Sequence, residues 1–490
     1  YNPFMHLDYA TDRRNTVLSM MVRHGYITKK EYELARSIKV EDLLVDYTKI
    51  AKSSGKGLFA YQSYIDTVIT EVEQVTGMDP TSVAMDIYTY MDTEVQTTMD
   101  NIQAGNNEQV VFPDDLMEVA MLSLNNQTGE IVAIGGGRNY GAGGSMLLNH
   151  ATQQYKQPGS SVKPFLDYAL AFEYLGWATS HVVTDKPIVY KGTDKVIRNA
   201  DGTYAGQVTL KYAVGRSLNT PAIQTLQEVI DVAGWQTVIN YLKSLGFSQV
   251  TDDNFDIGFA IGGSNFYVNA VELAAAHAVI MNGGQYIEPH CVSRIEFKNG
   301  TPTYTANYTG QQVLSPQAAY LTSELMYDAV NGPYYNYMQI LKRDYPVYGK
   351  TGTTDWGTDG LQYNIPQGAA KDKWMISETS QYTTAVCVGY EKGVKDQDTY
   401  FSSAKSQLNL PGNISSLILS SLTDSTKPQG VVEPEGISTI THILGTYPYA
   451  SPIEGMDPQY LATGKIKTEK INLVDPQTAD LAQLPHFDAN

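Results

Sequence analysis

Ser160 and Lys163 stand three residues apart in "QPGSSVKPF" (157–165), a spacing that sets a hydroxyl and an amine on one face of a helical turn. The chemistry open to such a pair is acyl transfer. A serine oxygen is a poor nucleophile until a base takes its proton, and lysine is a base only when neutral. Bringing Lys163 from a reference pKa of about 10.4 to about 7 takes roughly 4 to 5 kcal/mol of differential interaction. Burial supplies part of this, and a second cation nearby supplies more. The same spacing recurs at Ser53 and Lys56, inside the Gly/Ser link "AKSSGKG", and at Ser402 and Lys405, beside a polar run. Both are expected to be inert. Only Ser160 precedes an apolar helical stripe, Phe165, Tyr168, Ala169, Phe172 and Leu175, with Gly176 as its stop. Pro164 suits a first turn, whose N–H groups have no intrahelical partner. A helix N-terminus there also favours negative charge forming at Ser160.

The second cation is offered by "VYGKTGTT" (347–354). A phosphate loop would need glycine at 344, where the chain has Asp344, so that reading fails. "YPVYGKTGTT" reads instead as a strand, with "TTAVCVGY" (383–390) as its expected antiparallel neighbour. Lys350 and Thr351 at its mouth, with Gly352 leaving room for a second backbone, suit an extended peptide ending in a carboxylate. Backbone N–H groups of Ser160 and Thr353 are expected to form an oxyanion hole. A third piece is "GRSLNTPAI" (215–223), in which Thr220 and Pro221 read as N-cap and first helical residue. That leaves Ser217 and Asn219 on the entering loop. Another Ser-x-Asn, Ser123 and Asn125, precedes the turn "NNQTG" and is explained by turn chemistry.

Composition narrows the class. The chain has 490 residues, a formal charge of −18 and a pI near 4.8, with no dense Lys/Arg cluster. Nucleic-acid binding is therefore not expected. Cys291 and Cys387 are the two cysteines, too few for a metal spacing, and read as core residues. The apolar stretches are too short and too interrupted to cross a bilayer. A Ser-His-Asp hydrolase lacks its Gly-x-Ser-x-Gly elbow. "GGGRNYGAGG" (135–144) fails as a dinucleotide loop because Tyr140 takes a required glycine position. No metal or cofactor is expected.

These pieces need a scaffold. Residues 13–46 read as two amphipathic helices broken at Gly25, and 61–77 and 91–103 as two more. "MEVAMLSL" and "EIVAIG" read as a hairpin between 117 and 134. From there strands and helices mix without a regular alternation, which argues for an α+β domain. The last twenty residues read as a tail.

Ser160-x-x-Lys163, Ser217-x-Asn219 and Lys350-Thr351-Gly352, in that order, resemble the motif set of penicillin-binding proteins and serine β-lactamases. With "TGEIVAIGGGRNY", "LNHATQQYKQPGSSVKPF", "RSLNTPAI" and "ELAAAHAVIMNGGQYIEPH", the resemblance is closest to class A penicillin-binding proteins, over about residues 2–465. It implies a transpeptidase domain with a central antiparallel sheet and helices at 84–466. A helical glycosyltransferase remnant would occupy 1–46 ("RRNTVLSMMVRHGYIT"), a linker 47–83 and a tail 467–490. It implies a D,D-transpeptidase of peptidoglycan synthesis at the outer face of the cytoplasmic membrane. Its donor is a stem peptide ending in D-Ala-D-Ala, its acceptor an amine, and its inhibitors β-lactams. In that scheme Ser160 is the nucleophile, Lys163 its base, and Ser217 the proton shuttle. Asn219 orients Lys163 or the substrate amide, and Lys350, Thr351, Gly352 and Thr353 bind substrate. Glycan polymerisation is not expected of this chain, and a membrane anchor only of the intact protein. A β-lactamase, a carboxypeptidase and a non-turnover β-lactam sensor are the alternatives. Two departures stand out: 355–373 is long for the family, and Lys156 stands where arginine is common.

Overall fold

"MEVAMLSL" and "EIVAIG" form the expected hairpin, because the Asn125–Gly129 turn closes with Gly129 N–H donating to Asn125 O at 2.9 Å. They belong to a five-stranded sheet of the computed structural model, which describes residues 6–43, 60–140, 146–189, 196–334, 336–401 and 408–476. Its strands are β1 (Met117–Asn125), β2 (Ile131–Gly135), β3 (Tyr348–Asp355), β4 (Ala370–Glu378) and β5 (Tyr382–Tyr390). They run β3-β4-β5-β1-β2, every pair antiparallel. The α+β class with a central antiparallel sheet is thus present.

"TTAVCVGY" is not the neighbour of β3. Lys350 pairs with Ile376 of β4, and β4 turns back onto β5 at Ser380. A tight hairpin places β4 between them, and the charges at its start (Lys371, Asp372, Lys373) hide it in the sequence.

The strands look continuously apolar because both faces of the sheet are covered. Ala120, Leu122, Leu124, Ala385 and Cys387 pack with the larger core. Val119, Met121, Val386 and Val388, one residue out of phase, pack with a second core that includes Ile414 and Ile418 of the Leu410–Thr423 helix. Cys291 and Cys387 are both buried free thiols.

Two compact units divide at Ala60/Tyr61. In the first, helices Leu7–Arg23 and Lys29–Ser37 are separated at Gly25, whose φ of +76° ends the first helix. Thr28 and Glu31 cap the second reciprocally. Residues 44–46 of this predicted pair lie outside the described residues. In the second unit, helix Gln62–Thr76 falls within the span read as linker, yet Tyr64, Val68 and Val72 enter the main core and Tyr64 donates to Ile131 O at 2.7 Å. Within the span read as tail, Val474 bridges Ala450 in parallel.

Candidate active site

Ser160 rides on a helix wound in three ways: a 3-10 turn at Gly159–Val162, a π turn at Pro164–Tyr168 and an α-helix at Ala169–Tyr174. From Ser161 to Leu170 every residue is buried, while Ser160 is half-buried at the surface of a groove of about 1480 Å³. The turn can approach β3 only through glycine. A Cβ on Gly352 would lie 2.2 Å from Pro158 O and 3.3 Å from Ser161 Cβ. Gly159, at φ +56°, would place its Cβ 2.5 Å from Thr353 O. The room at Gly352 therefore admits the turn carrying Ser160 and not a substrate backbone, a correction that follows from which face of β3 the turn packs on.

Gly352→Ala is accordingly expected to push the turn and β3 apart. Both obstacles are backbone or buried, so relaxation is limited and overpacking of this kind costs about 1 to 3 kcal/mol. A displacement near 1 Å at the reacting atoms costs about 100-fold in rate. Denaturant unfolding and stopped-flow β-lactam acylation check the two effects separately.

Lys163 is fully buried, and its Nζ donates to Ser217 O (2.8 Å), Leu218 O (2.9 Å) and Asn219 Oδ1 (2.8 Å). Burial pushes its pKa down to about 7, against the opposite pull of Asp167 and Asp185. Three oxygen acceptors suit the ammonium; as a base, the neutral amine must release one of them to turn its lone pair to Ser160.

Ser217 has φ +55°, an unusual conformation for a residue with a side chain. Its hydroxyl accepts a hydrogen bond from Lys350 Nζ at 2.7 Å, and Lys350 also donates to Thr351 O at 3.0 Å. Lys350 is fully buried, and burial followed by the charge of Lys163 holds its pKa well below the usual lysine range. A second lysine thus stands near Lys163, but the repulsion between them falls on Lys350 and the drop at Lys163 comes from burial. Lys350 does not stand at the mouth of the strand, however. On β3 it shares the inward face with Gly352, while Thr351 and Thr353 border the groove. Its reach to a ligand runs through Ser217.

Asn219 does not lie on a loop. The helix runs Asn219–Ala233 with Leu218 as N-cap, so Thr220 and Pro221 fall two positions deeper than the capping pattern predicts. Thr220 is instead held by Asp185, which also accepts two bonds from Asn199 Nδ2 at 2.9 Å. Asn199 Oδ1 in turn accepts from Asn219 N–H at 2.7 Å, and Asn219 Nδ2 donates to Arg198 O at 2.8 Å. This chain of bonds fixes Asn219 Oδ1 on Lys163.

Asp185 and Asn199 escaped the sequence reading, because nothing local links them to Asn219. Asp167 had a signal: it follows Lys163 by four residues and so shares its helix face. It is fully buried, neither carboxyl oxygen has a hydrogen-bond partner among the described residues, and burial drives its pKa well above the carboxylate range, against the pull of Lys163 and Lys350.

All eight predicted site residues fall in one region of the second unit. Ser53, Lys56, Ser402 and Lys405 lie outside the described residues. The long 355–373 segment forms one wall of the groove, anchored by Trp356, whose Nε1 donates to Thr399 O at 2.8 Å. Lys156 at the groove floor pairs with Asp372 (2.7 Å) and Glu391 (3.1 Å). Among the described residues no group of three or more His, Cys, Asp and Glu is placed to hold a metal ion, and no helix is long and apolar enough to cross a membrane.

Comparison with known proteins agrees with this geometry. Residues 119–407 match the family described as "Penicillin binding protein transpeptidase domain". The chain is 34% identical over 393 residues to penicillin-binding protein 1A/1B of Bacillus subtilis (strain 168), covering 79% of this chain and 41% of that one. It is 31% identical over 398 residues to penicillin-binding protein 1A of Streptococcus pneumoniae (strain ATCC BAA-255 / R6), covering 80% and 53%. The chain thus spans about half the length of these relatives. Among solved structures, Mycobacterium tuberculosis PonA1 in complex with penicillin V shares the fold at a TM-score of 0.63 and 22% identity, over 76% of this chain and 96% of that one. Penicillin-binding protein 1A of Haemophilus influenzae does so at 0.65 and 20%, over 97% and 84%. The resemblance to class A proteins drawn from the motifs is borne out, and the chain belongs to the penicillin-binding protein transpeptidase family.

Proposed function

We propose that the chain is a peptidoglycan D,D-transpeptidase working outside the cytoplasmic membrane through an acyl-enzyme at Ser160. The observation that carries the reading is the buried run Asn219–Lys163, Ser217–Lys350 beside a half-buried serine, at the foot of a groove bordered by β3. Because β3 ends the sheet, its outer edge can pair with an extended peptide.

Neutral Lys163 takes the Ser160 Oγ proton as Oγ bonds to the carbonyl carbon of the penultimate D-Ala. The N–H groups of Ser160 and Thr353 hold the oxyanion. The C–N bond breaks as the Ser217 hydroxyl gives its proton to the leaving D-Ala nitrogen, and Lys350 restores it. Thr351 and Thr353 receive the donor's carboxylate, with Lys350 adding charge from behind Ser217. An amine of a second stem peptide then attacks the ester and gives its proton to the Ser217 hydroxyl, which passes one back to Lys350; the C–O bond breaks and Ser160 Oγ takes back the proton held by Lys163. β-Lactams enter the same first step and remain as the acyl-enzyme.

The test gives the purified chain a stem-peptide donor with and without an amine acceptor, and a β-lactam in parallel, with products weighed by mass spectrometry. Cross-linked product that disappears with β-lactam is the expected result. Hydrolysis alone assigns a carboxypeptidase, rapid β-lactam turnover a β-lactamase, and stable acylation without peptide chemistry a sensor.

A further inference from the structure

His277, on the Ala270–Met281 helix, and Glu378, the last residue of β4, are both wholly buried, and the acyl-transfer steps above use neither. His277 Nε2 lies 2.8 Å from the backbone oxygen of Ser161, the residue after the nucleophile. Its Nδ1 lies 3.4 Å from Glu378 Oε1.

A carbonyl oxygen only accepts hydrogen bonds, so Nε2 carries a proton. Nδ1 and Oε1 then need one more proton between them, since a bare lone pair facing a carboxylate in a dry core is strongly unfavourable. Imidazolium with carboxylate, and imidazole with carboxylic acid, hold the same number of protons. In both, Nε2 donates to Ser161.

The carbonyl needs such a donor. The residue three positions on, whose N–H would close a 3-10 bond to it, is Pro164, which has none. The winding also changes there from 3-10 to π, so the turn's own backbone does little to fix its pitch. The Ser161 hydroxyl already ties the turn back to Pro158 O at 2.8 Å. Phe165 meets the His277 ring edge to face, with centroids 5.5 Å apart, and fixes the ring's plane. Glu378 sits in register between Tyr348 of β3 and Thr383 of β5, so its end of the chain is part of the sheet itself.

We infer that Glu378 and His277 are positioning residues for acyl transfer: a carboxyl–imidazole–carbonyl chain from the central sheet locks the turn carrying Ser160 so that its Oγ faces Lys163. This rests on the function proposed above. Neither residue touches substrate.

The test separates the acylation rate constant from the noncovalent dissociation constant of a β-lactam by stopped flow. His277→Leu removes the donor and is expected to slow acylation about 10- to 100-fold with the dissociation constant unchanged, as a misplaced nucleophile would. His277→Gln, whose amide can still donate to Ser161, is expected to recover to within about threefold of the parent. Histidine side-chain 15N spectra of the parent, with the signal assigned by its loss in His277→Gln, are expected to show a protonated Nε2. An unprotonated Nε2 overturns the chain even if His277→Leu fails to fold. Acylation by folded His277→Leu at the parental rate, or equal loss in both variants, overturns the positioning role alone. A parent that takes up no β-lactam overturns the functional reading and this role with it.

Discussion

Ser160→Ala loses covalent labelling by fluorescent penicillin, while Ser53→Ala and Ser402→Ala label as the parent does. The expectation has two parts. The oxygen that forms the ester is removed, so no neighbouring group can substitute at a comparable rate. Ser160 has its lysine desolvated, with the buried Lys350 bonded to Ser217 beside it, whereas the other two Ser-x-x-Lys pairs stand in a Gly/Ser link and beside a polar run of the sequence. Ser160 is half-buried and its hydroxyl makes no hydrogen bond among the described residues, so the substitution should leave stability within about 0.5 kcal/mol. Mass spectrometry of the labelled peptide locates the adduct, and a denaturant titration checks the fold. Labelling that survives in Ser160→Ala with an intact fold would remove Ser160 as nucleophile.

Lys163→Ala should slow acylation by about 100- to 10,000-fold, the usual range for a lost general base, equivalent to about 3 to 5 kcal/mol of barrier. It also leaves Asn219 Oδ1 and two carbonyls without their donor. A second variant therefore isolates the chemistry. Lys163→Arg keeps a buried cation with several donors but cannot give up a proton at any working pH, and it should be as slow as alanine. The pH profile carries the sign. In the proposed mechanism the neutral amine is the active form, and burial lowers its pKa to about 7. Acylation by the parent should thus fall about tenfold per pH unit below that point and level off above it. In Lys163→Arg the inflection should be gone. A parental profile flat from pH 5 to 9, or a fast arginine variant, would require another base.

Much of this site was legible in the chain because the relevant physics is local. A three-residue spacing before an apolar stripe sets Ser160 and Lys163 on one helix face, and the cost of a neutral lysine pointed to a second lysine, Lys350, which does lie near it, although burial is what lowers Lys163. The hairpin at 117–134 was readable for the same reason, since turn residues and flanking apolar runs adjoin in sequence. Errors came where a boundary or a face had to be chosen. Thr220 resembles an N-cap, but a carboxylate thirty-five residues earlier, Asp185, claims its hydroxyl, and the helix starts sooner.

Residue types and spacings along the chain single out the groups able to carry the chemistry: they set which of them can be nucleophile, base and donor before any contact forms. Tertiary structure alone decided how they meet. β4 comes between β3 and β5, Gly352 admits the turn carrying Ser160, Lys350 faces Ser217 from inside, and His277, with Glu378 behind it, reaches Ser161 from a helix more than a hundred residues away. The physical reason is burial. Which side of a strand is dry, and which polar group fills another's missing bond there, depends on segments distant in sequence packing together, and an isolated spacing carries no information about that.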